Sequence, residues 1–351
     1  MIAWAGKSRC GPIGVDIGSR VLKLVQLDGP RNNLREAARW EFPAADDPAA
    51  EKRDEAIVAG LIEARSGRAF RGREAVFCIG GRDLFVQNIR LPQAAGDDLN
   101  KIVHFEAASR LPFNAEQADI RYIDAADVRQ GDTVRREIIL LACRHAAVER
   151  TISLAERAGL IPVAIDVEPS AILRSYTKQA RRDGDQEARV MLLNMGASSS
   201  TVVIARGSDA MFVKYLDLGG RHLDEAVARH LKLDAAGAAS LRRHNGDRRT
   251  DQLDPEVMRS FAEACRPVME QLAGELALCA RYYSVAFRGQ PLSQVVVSGG
   301  EASPTIVDWL TERLDLPCEL GNPVRTFTSP LPSGRGTQWD VAAGLALREI
   351  T

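Results

Sequence analysis

The chain has 351 residues, room for two to three domains at roughly 150 residues each. Apolar residues make up 45% and charged residues 26%, proportions that exclude a disordered or collagen-like chain and allow a sizeable core. Lysine and arginine number 46 against 47 aspartate and glutamate, and aromatic residues are 5%, so neither bulk attraction to nucleic acid nor a base-stacking surface is advertised.

Strand-like apolar runs at 13–17 and 21–27 predict two strands joined by a tight Gly-Ser turn, with a third strand at 32–42. Ile57, Leu61 and Ile62 give 51–64 helical spacing, and the run 74–79 is strand-like. Next come a segment at 83–91, a helix around 99–109, and two alternating strands at 118–128 and 134–142. A helix at 145–158 ends at Gly159, a residue suited to a helix stop. After a strand at 161–166 and a helix at 169–180, the charged turn Arg181-Arg182-Asp183-Gly184-Asp185 separates two halves. The second half opens with strands at 188–193, 201–205 and 210–216. Leu218-Gly219-Gly220 precedes a helix to Leu231, and a shorter helix covers 234–243. The polar stretch 244–254 is expected to be an exposed loop, in which Arg248 and Arg249 join Arg242 and Arg243 as a local basic patch. From 255 to 287 the chain is helical, with Val257, Phe261, Cys265, Val268, Leu272 and Leu276 on one face; Pro267 should kink or split it. A strand at 292–297 runs into Ser298-Gly299-Gly300-Glu301-Ala302, and helices at 304–314 and about 339–349 close the chain.

The six cysteines form no CxxC pair and several lie in apolar runs, which reads as free buried thiols in a reducing compartment. No apolar run approaches the ~20 residues needed to span a bilayer, and the first residues carry no signal-peptide pattern, so a soluble chain that reaches membranes only through a partner is expected. Ala5-Gly6-Lys7-Ser8 lacks the first glycine and the preceding strand of a P-loop. The five histidines show no metal-ligand spacing, and Ser198-Ser199-Ser200 has no nucleophile-elbow context.

An internal repeat organises the chain. Ile13-Gly14-Val15-Asp16-Ile17-Gly18-Ser19 aligns with Met191-Leu192-Leu193-Asn194-Met195-Gly196-Ala197 at an offset of 178, placing Asp16 over Asn194 and Gly18 over Gly196. A glycine turn between strands offers backbone N–H groups to phosphate oxygens. Asp16 adds a carboxylate for hydrated Mg²⁺, and Lys23 a cation within reach of a β-phosphate. The third turn, Ser298-Gly299-Gly300, allows close backbone approach to a nucleobase or α-phosphate. Three such turns in this order point to a nucleotide cleft.

These turns, with Asp217-Leu218-Gly219-Gly220-Arg221-His222-Leu223, resemble the actin-like ATPase superfamily. Within it the chain is similar to the PilM family of type IV pilus assembly proteins, relatives of FtsA. That narrower resemblance rests on Leu91-Pro92 leading to Phe105-Glu106-Ala107 and Leu111-Pro112-Phe113, on 158–163 with Asp166-Val167-Glu168, and on Gly321-Asn322-Pro323. It implies an α/β, duplicated ribonuclease-H-like fold with two lobes around a nucleotide cleft. Its first lobe would comprise 1–82, 161–186 and the helix 339–351, with an inserted subdomain at 83–160. The second lobe would span 187–338, with a helical part at about 219–290.

Carried over to this sequence, the resemblance gives ATP and Mg²⁺ as ligands and Asp16 as the metal-associated carboxylate. Gly18, Ser19 and Arg20 become phosphate donors of the first turn, and Gly196, Ala197 and Ser198 those of the second. Gly219 and Gly220 join the cofactor site, Gly299, Gly300 and Glu301 fall where adenosine is held, and Glu275 aligns with a ribose-contacting glutamate. Arg242 stands where relatives often have lysine, with Ala239 in place of a glutamate. Asn194 replaces the usual aspartate of the second turn, which implies retained binding with slow or absent hydrolysis, because phosphoryl transfer depends on positioning and charge. The implied function is a cytoplasmic ATP-binding scaffold, at most a weak ATPase. It would be held at the inner face of the membrane by the short cytoplasmic peptide of a bitopic, PilN-like partner. The alternatives are a filament-forming actin-like protein and a sugar-kinase-type enzyme, for which Asp166 is the candidate base.

Overall fold

The apolar, largely buried runs at both ends of the 178-residue offset build two hairpins, and each hairpin seeds a sheet. The structure, a computed structural model, describes residues 10–29, 33–43, 50–93, 96–177, 187–247, 254–287, 291–325, 327, 331 and 335–349. In chain order the elements are β1 (Cys10–Ile17), β2 (Val21–Asp28), β3 (Asn33–Glu41), α1 (Ala50–Arg65), β4 (Glu74–Ile79), β5 (Leu84–Pro92), α2 (Gly96–Arg110), β6 (Ala118–Gln130), β7 (Thr133–Arg144), α3 (His145–Arg157), β8 (Ile161–Val167) and α4 (Glu168–Thr177). The second half continues with β9 (Arg189–Met195), β10 (Ser200–Arg206), β11 (Asp209–Leu216), α5 (Gly220–Leu231), α6 (Ala235–Asp247), α7 (Pro255–Ala286), β12 (Gln294–Ser298), α8 (Pro304–Leu314), β13 (Cys318–Leu320) and α9 (Asp340–Ala346).

Two compact units result, one drawn from Met1–Asp83, His145–Gln179 and Asn322–Thr351, the other from Leu84–Arg144 and Ala180–Gly321. In the first, the sheet order is β3-β2-β1-β4-β8, with β1, β2 and β3 antiparallel and β4 and β8 parallel to β1. Ile57, Leu61, Leu154 and Ala155 of α1 and α3 pack with Leu22, Leu24 and Phe77. A separate cluster joins Trp339, Ala342 and Ala346 to Val25, Leu27 and Ala37. The approach of α9 explains two glycines: a Cβ on Gly14 would strike the Ala342 carbonyl, and one on Gly344 the Ala171 carbonyl.

In the second unit the order β11-β10-β9-β12-β13 repeats the same topology, with β9, β10 and β11 antiparallel and β12 and β13 parallel to β9. Leu223, Val227, Leu272, Leu276, Tyr283 and Leu310 cover it, against Met191, Val202 and Val295. This unit also holds the antiparallel sheet β5-β7-β6, on which α2 packs through Leu99, Val103 and Ala107. The Asn88 amide ties β5 to the main chain of Val213 in β11, donating to its carbonyl at 2.8 Å and accepting from its N–H at 3.3 Å. Glu137, fully buried, accepts from Arg90 Nε at 2.8 Å and from the Tyr282 hydroxyl of α7.

Several expectations are corrected. Helix α3, read as part of the insert, belongs to the first unit because Leu154 and Ala155 complete the α1 side of its core. The closing segment of that unit begins at Asn322, not 339. Helix α6 extends to Asp247, into the stretch read as loop. Helix α7 runs as one element through Pro267: the proline removes one bond of the ladder, while Ala264, Cys265, Met269 and Leu272 stay buried in a continuous seam. The last helix is a 3₁₀ turn, Gly336–Trp339, followed by the shorter α9. The charged turn 181–185, with Arg248 and Arg249, lies outside the described residues. Among the described residues no helix is long and apolar enough to cross a membrane.

Candidate functional site

The register of β1 and β2 sets Asp16 directly across from Lys23, and their side chains form a buried ion pair at 2.5 Å. Lys23 Nζ also donates to the Gln338 carbonyl at 2.9 Å. Burial works against the lysine's charge, yet Asp16, with Asp340 and Glu168 nearby, holds its pKa above the ordinary value. Lys23 is thus committed within the protein rather than projecting from the turn. Gly18 N–H donates to the Val21 carbonyl at 3.1 Å, and the Arg20 carbonyl accepts from Phe42 N–H at 2.9 Å. The Gly18 carbonyl accepts from Arg53 Nη2 at 2.8 Å. A Cβ on Gly18 would lie 2.7 Å from the Val21 carbonyl, so this closure needs glycine. Ser19, at the tip, is exposed.

The second hairpin copies the first. Gly196 N–H donates to the Ser199 carbonyl at 3.0 Å, and Asn194 faces Thr201 as Asp16 faces Lys23. The ionic pair of the first repeat has become a buried neutral pair in the second. Helix α5 starts against this turn: Gly220 N–H donates to the Gly196 carbonyl at 3.0 Å and Arg221 N–H to the Ala197 carbonyl at 2.7 Å. A Cβ on Gly219 would sit 2.6 Å from the Gly196 carbonyl. Gly219 and Gly220 therefore hold the second turn in place, with the Gly220 N–H already used.

At the end of β12, Gly299 takes a left-handed φ of +93° against the Met195 backbone, and Glu301 N–H donates to the Met195 carbonyl at 3.1 Å. Gly300 has open space where a Cβ would stand. The Glu301 carboxylate lies over Gly220 and meets Arg242 Nη2 at 2.5 Å, while Arg242 Nε meets Asp224 Oδ1 at 2.6 Å. All three are buried, which corrects the reading of Arg242 as part of an exposed basic patch. Burial opposes the guanidinium charge, and the two carboxylates outweigh it, raising the pKa further. Glu275 pairs with Lys214 of β11 at 2.8 Å, and Lys214 lies in register with Val202 and Leu193, next to Asn194.

Two groups escaped the sequence reading. Gly80-Gly81 follows β4 as Gly299-Gly300 follows β12, and Gly81 N–H donates to Glu168 Oε2 at 3.3 Å. The glycine pair after each central parallel strand was the available signal. Arg53 gave none, because only tertiary structure brings α1 to the turn. Asp166, the candidate kinase base, is held by Arg174 at 2.9 Å and Arg348 at 2.6 Å. Both cations sit on Oδ2, and Oδ1 accepts the Val167 N–H at 2.8 Å, so both carboxylate oxygens are occupied within the fold, which weighs against that role.

The donor set suits a phosphate chain better than a bare metal. Both turns direct glycine carbonyls onto protein donors, and the Ala197 and Ser198 positions stay half-exposed. Among the described residues no cluster of three or more carboxylate, histidine or cysteine ligands forms. Asp16 alone, already paired with Lys23, fits a hydrated ion carried by phosphates.

Two sheets of one strand order, each closed by the same glycine hairpin, define a protein of actin-like ATPase fold. Solved structures agree. The chain is 16% identical to the ethanolamine utilization protein EutJ from Carboxydothermus hydrogenoformans, covering 97% of this chain and 89% of that one, with a TM-score of 0.57. It is 6% identical to a protein of actin-like ATPase fold and unknown function from Bacteroides thetaiotaomicron, covering 99% and 100%, at a TM-score of 0.50. The model of the type IV pilus assembly protein PilM matches residues 14–350, and the chain belongs to that family. Similarity to the PilM-PilN type IV pilus biogenesis complex reaches 25% identity over 96% of this chain and 98% of that chain, at a TM-score of 0.77.

Proposed function

We propose that the protein is an ATP-binding scaffold of a type IV pilus or related assembly machine that holds the cytoplasmic tail of a bitopic, PilN-like inner-membrane protein. The observation that carries this reading is the near full-length likeness to the PilM-PilN complex, together with the family match. A short partner peptide added to the full chain should be followed by calorimetry. Saturable one-to-one binding is the expected result, and no heat at a hundred-micromolar peptide would count against it. Membrane association through such a partner should be lost from cell fractions when the partner is deleted.

ATP would take its phosphates on the turns at Gly18–Arg20 and Gly196–Ser198, with Mg²⁺ shielding charge on the phosphates and Asp16 facing its hydration shell. Gly299, Gly300 and Glu301 would stand at the nucleoside. The repeated hairpin closure supports this reading. Gly18→Val and Gly299→Val should abolish ATP binding that the wild type shows at millimolar Mg·ATP. Asn194 leaves the second turn without a carboxylate, so single-turnover hydrolysis should be far below the ~1 s⁻¹ low end of ordinary enzymes. Brisk wild-type turnover would contradict the scaffold reading.

A further inference from the structure

We infer that Arg53 is a positioning residue of the first phosphate turn, fixing the direction of the Ser19 N–H; the inference rests on the nucleotide reading above. In a trans peptide the carbonyl of one residue and the N–H of the next point opposite ways in one rigid plane. Arg53 Nη2 donates to the Gly18 carbonyl at 2.8 Å. It thereby turns the Ser19 N–H of the same peptide unit to the other side. Flanking contacts anchor the turn on either side of that peptide: Gly18 N–H is bonded to the Val21 carbonyl, and the Arg20 carbonyl to Phe42 N–H. Arg53 is itself fixed, with its guanidinium 3.4 Å above the Phe42 ring.

The second repeat supports the assignment independently. Its equivalent carbonyl, Gly196, is also pinned, by Gly220 N–H at 3.0 Å, which directs the Ala197 N–H away from it in the same sense. A helix-start amide in one half and a guanidinium in the other thus perform one task on matching peptides. Arg53 lies 35 residues from the carbonyl that it binds, on a different element, which is why no local motif reveals it.

The test uses the full chain with Arg53→Ala, Arg53→Lys and Phe42→Leu. Arg53→Ala should weaken ATP binding by roughly tenfold, the scale of one misdirected charge-assisted hydrogen bond. Its melting temperature should stay within a few degrees of wild type. Arg53→Lys, which keeps a charged donor, should recover most of the affinity. Phe42→Leu keeps the donors and loosens the platform, so an intermediate loss is expected and guards against misfolding of the alanine variant. Amide exchange at Gly18, read without nucleotide, should quicken in Arg53→Ala. Wild-type ATP affinity in Arg53→Ala would overturn the inference. If the wild type itself binds no ATP, the nucleotide reading fails, and unchanged Gly18 exchange would then overturn the pinning role separately.

Discussion

Arg242 joins two buried carboxylates on separate elements, Asp224 of α5 and Glu301 after β12, through different nitrogens of one planar fork. Removing it strands both charges. Arg242→Ala should therefore cost about 3–5 kcal/mol in urea unfolding. Arg242→Lys should lose less but not be neutral, because a single ammonium cannot reproduce the separate Nε and Nη2 contacts. The pair Asn194 and Thr201 carries the opposite lesson. Asn194→Asp would place a buried carboxylate opposite a hydroxyl instead of an ammonium, and should destabilise the protein by about 3 kcal/mol. Adding Thr201→Lys to that variant should recover a good part of the loss by copying the Asp16–Lys23 pair; a purely additive second loss would argue against the analogy between the repeats.

Between elements, the Glu137, Arg90 and Tyr282 contact couples the sheet β5-β7-β6 to α7. Burial first, and then the bond to Glu137 and its charge, raise the Tyr282 pKa above the ordinary tyrosine value. The folded protein then keeps the phenol proton where the unfolded chain releases it. Stability from this group is complete below about pH 10 and falls as pH rises from there toward the higher folded value. Lys23, also raised, adds to the same alkaline loss above its ordinary pKa. Denaturation followed from pH 7 to 11 should show the decline, and Tyr282→Phe should make it shallower while costing about 1–3 kcal/mol near neutrality. These contacts mark the limit of what the amino-acid order makes legible. Hairpins, the repeat offset and the glycine turns are local patterns, so Asp16, Gly18, Asn194 and Gly196 could be placed in advance. Side-chain partners set by long-range register could not. Lys23 projects from a strand and looks available until Asp16 and Gln338 are seen to hold it, and Arg242 looks like one more surface arginine in a basic run. The Glu275 partner, Lys214 of β11, lies 61 residues away and is equally invisible in the helix pattern.

At the scale of the molecule, ligand binding should register as stability even without turnover. Mg·ATP at about a hundred times its Kd would add roughly 2.7 kcal/mol and raise the melting temperature, an increase that Gly18→Val should abolish. The first unit is assembled from three separated stretches of chain, and its sheet is completed by Trp339 and α9, against which Gly14 fits without room for a side chain. On a translating ribosome, β1 and β2 emerge long before those covering residues, and at ordinary elongation rates the interval is on the order of tens of seconds. The second unit draws its described elements from chain already synthesised by then. The nascent protein must therefore carry its first glycine turn on an uncovered sheet, and the unit is closed only when the last helix arrives.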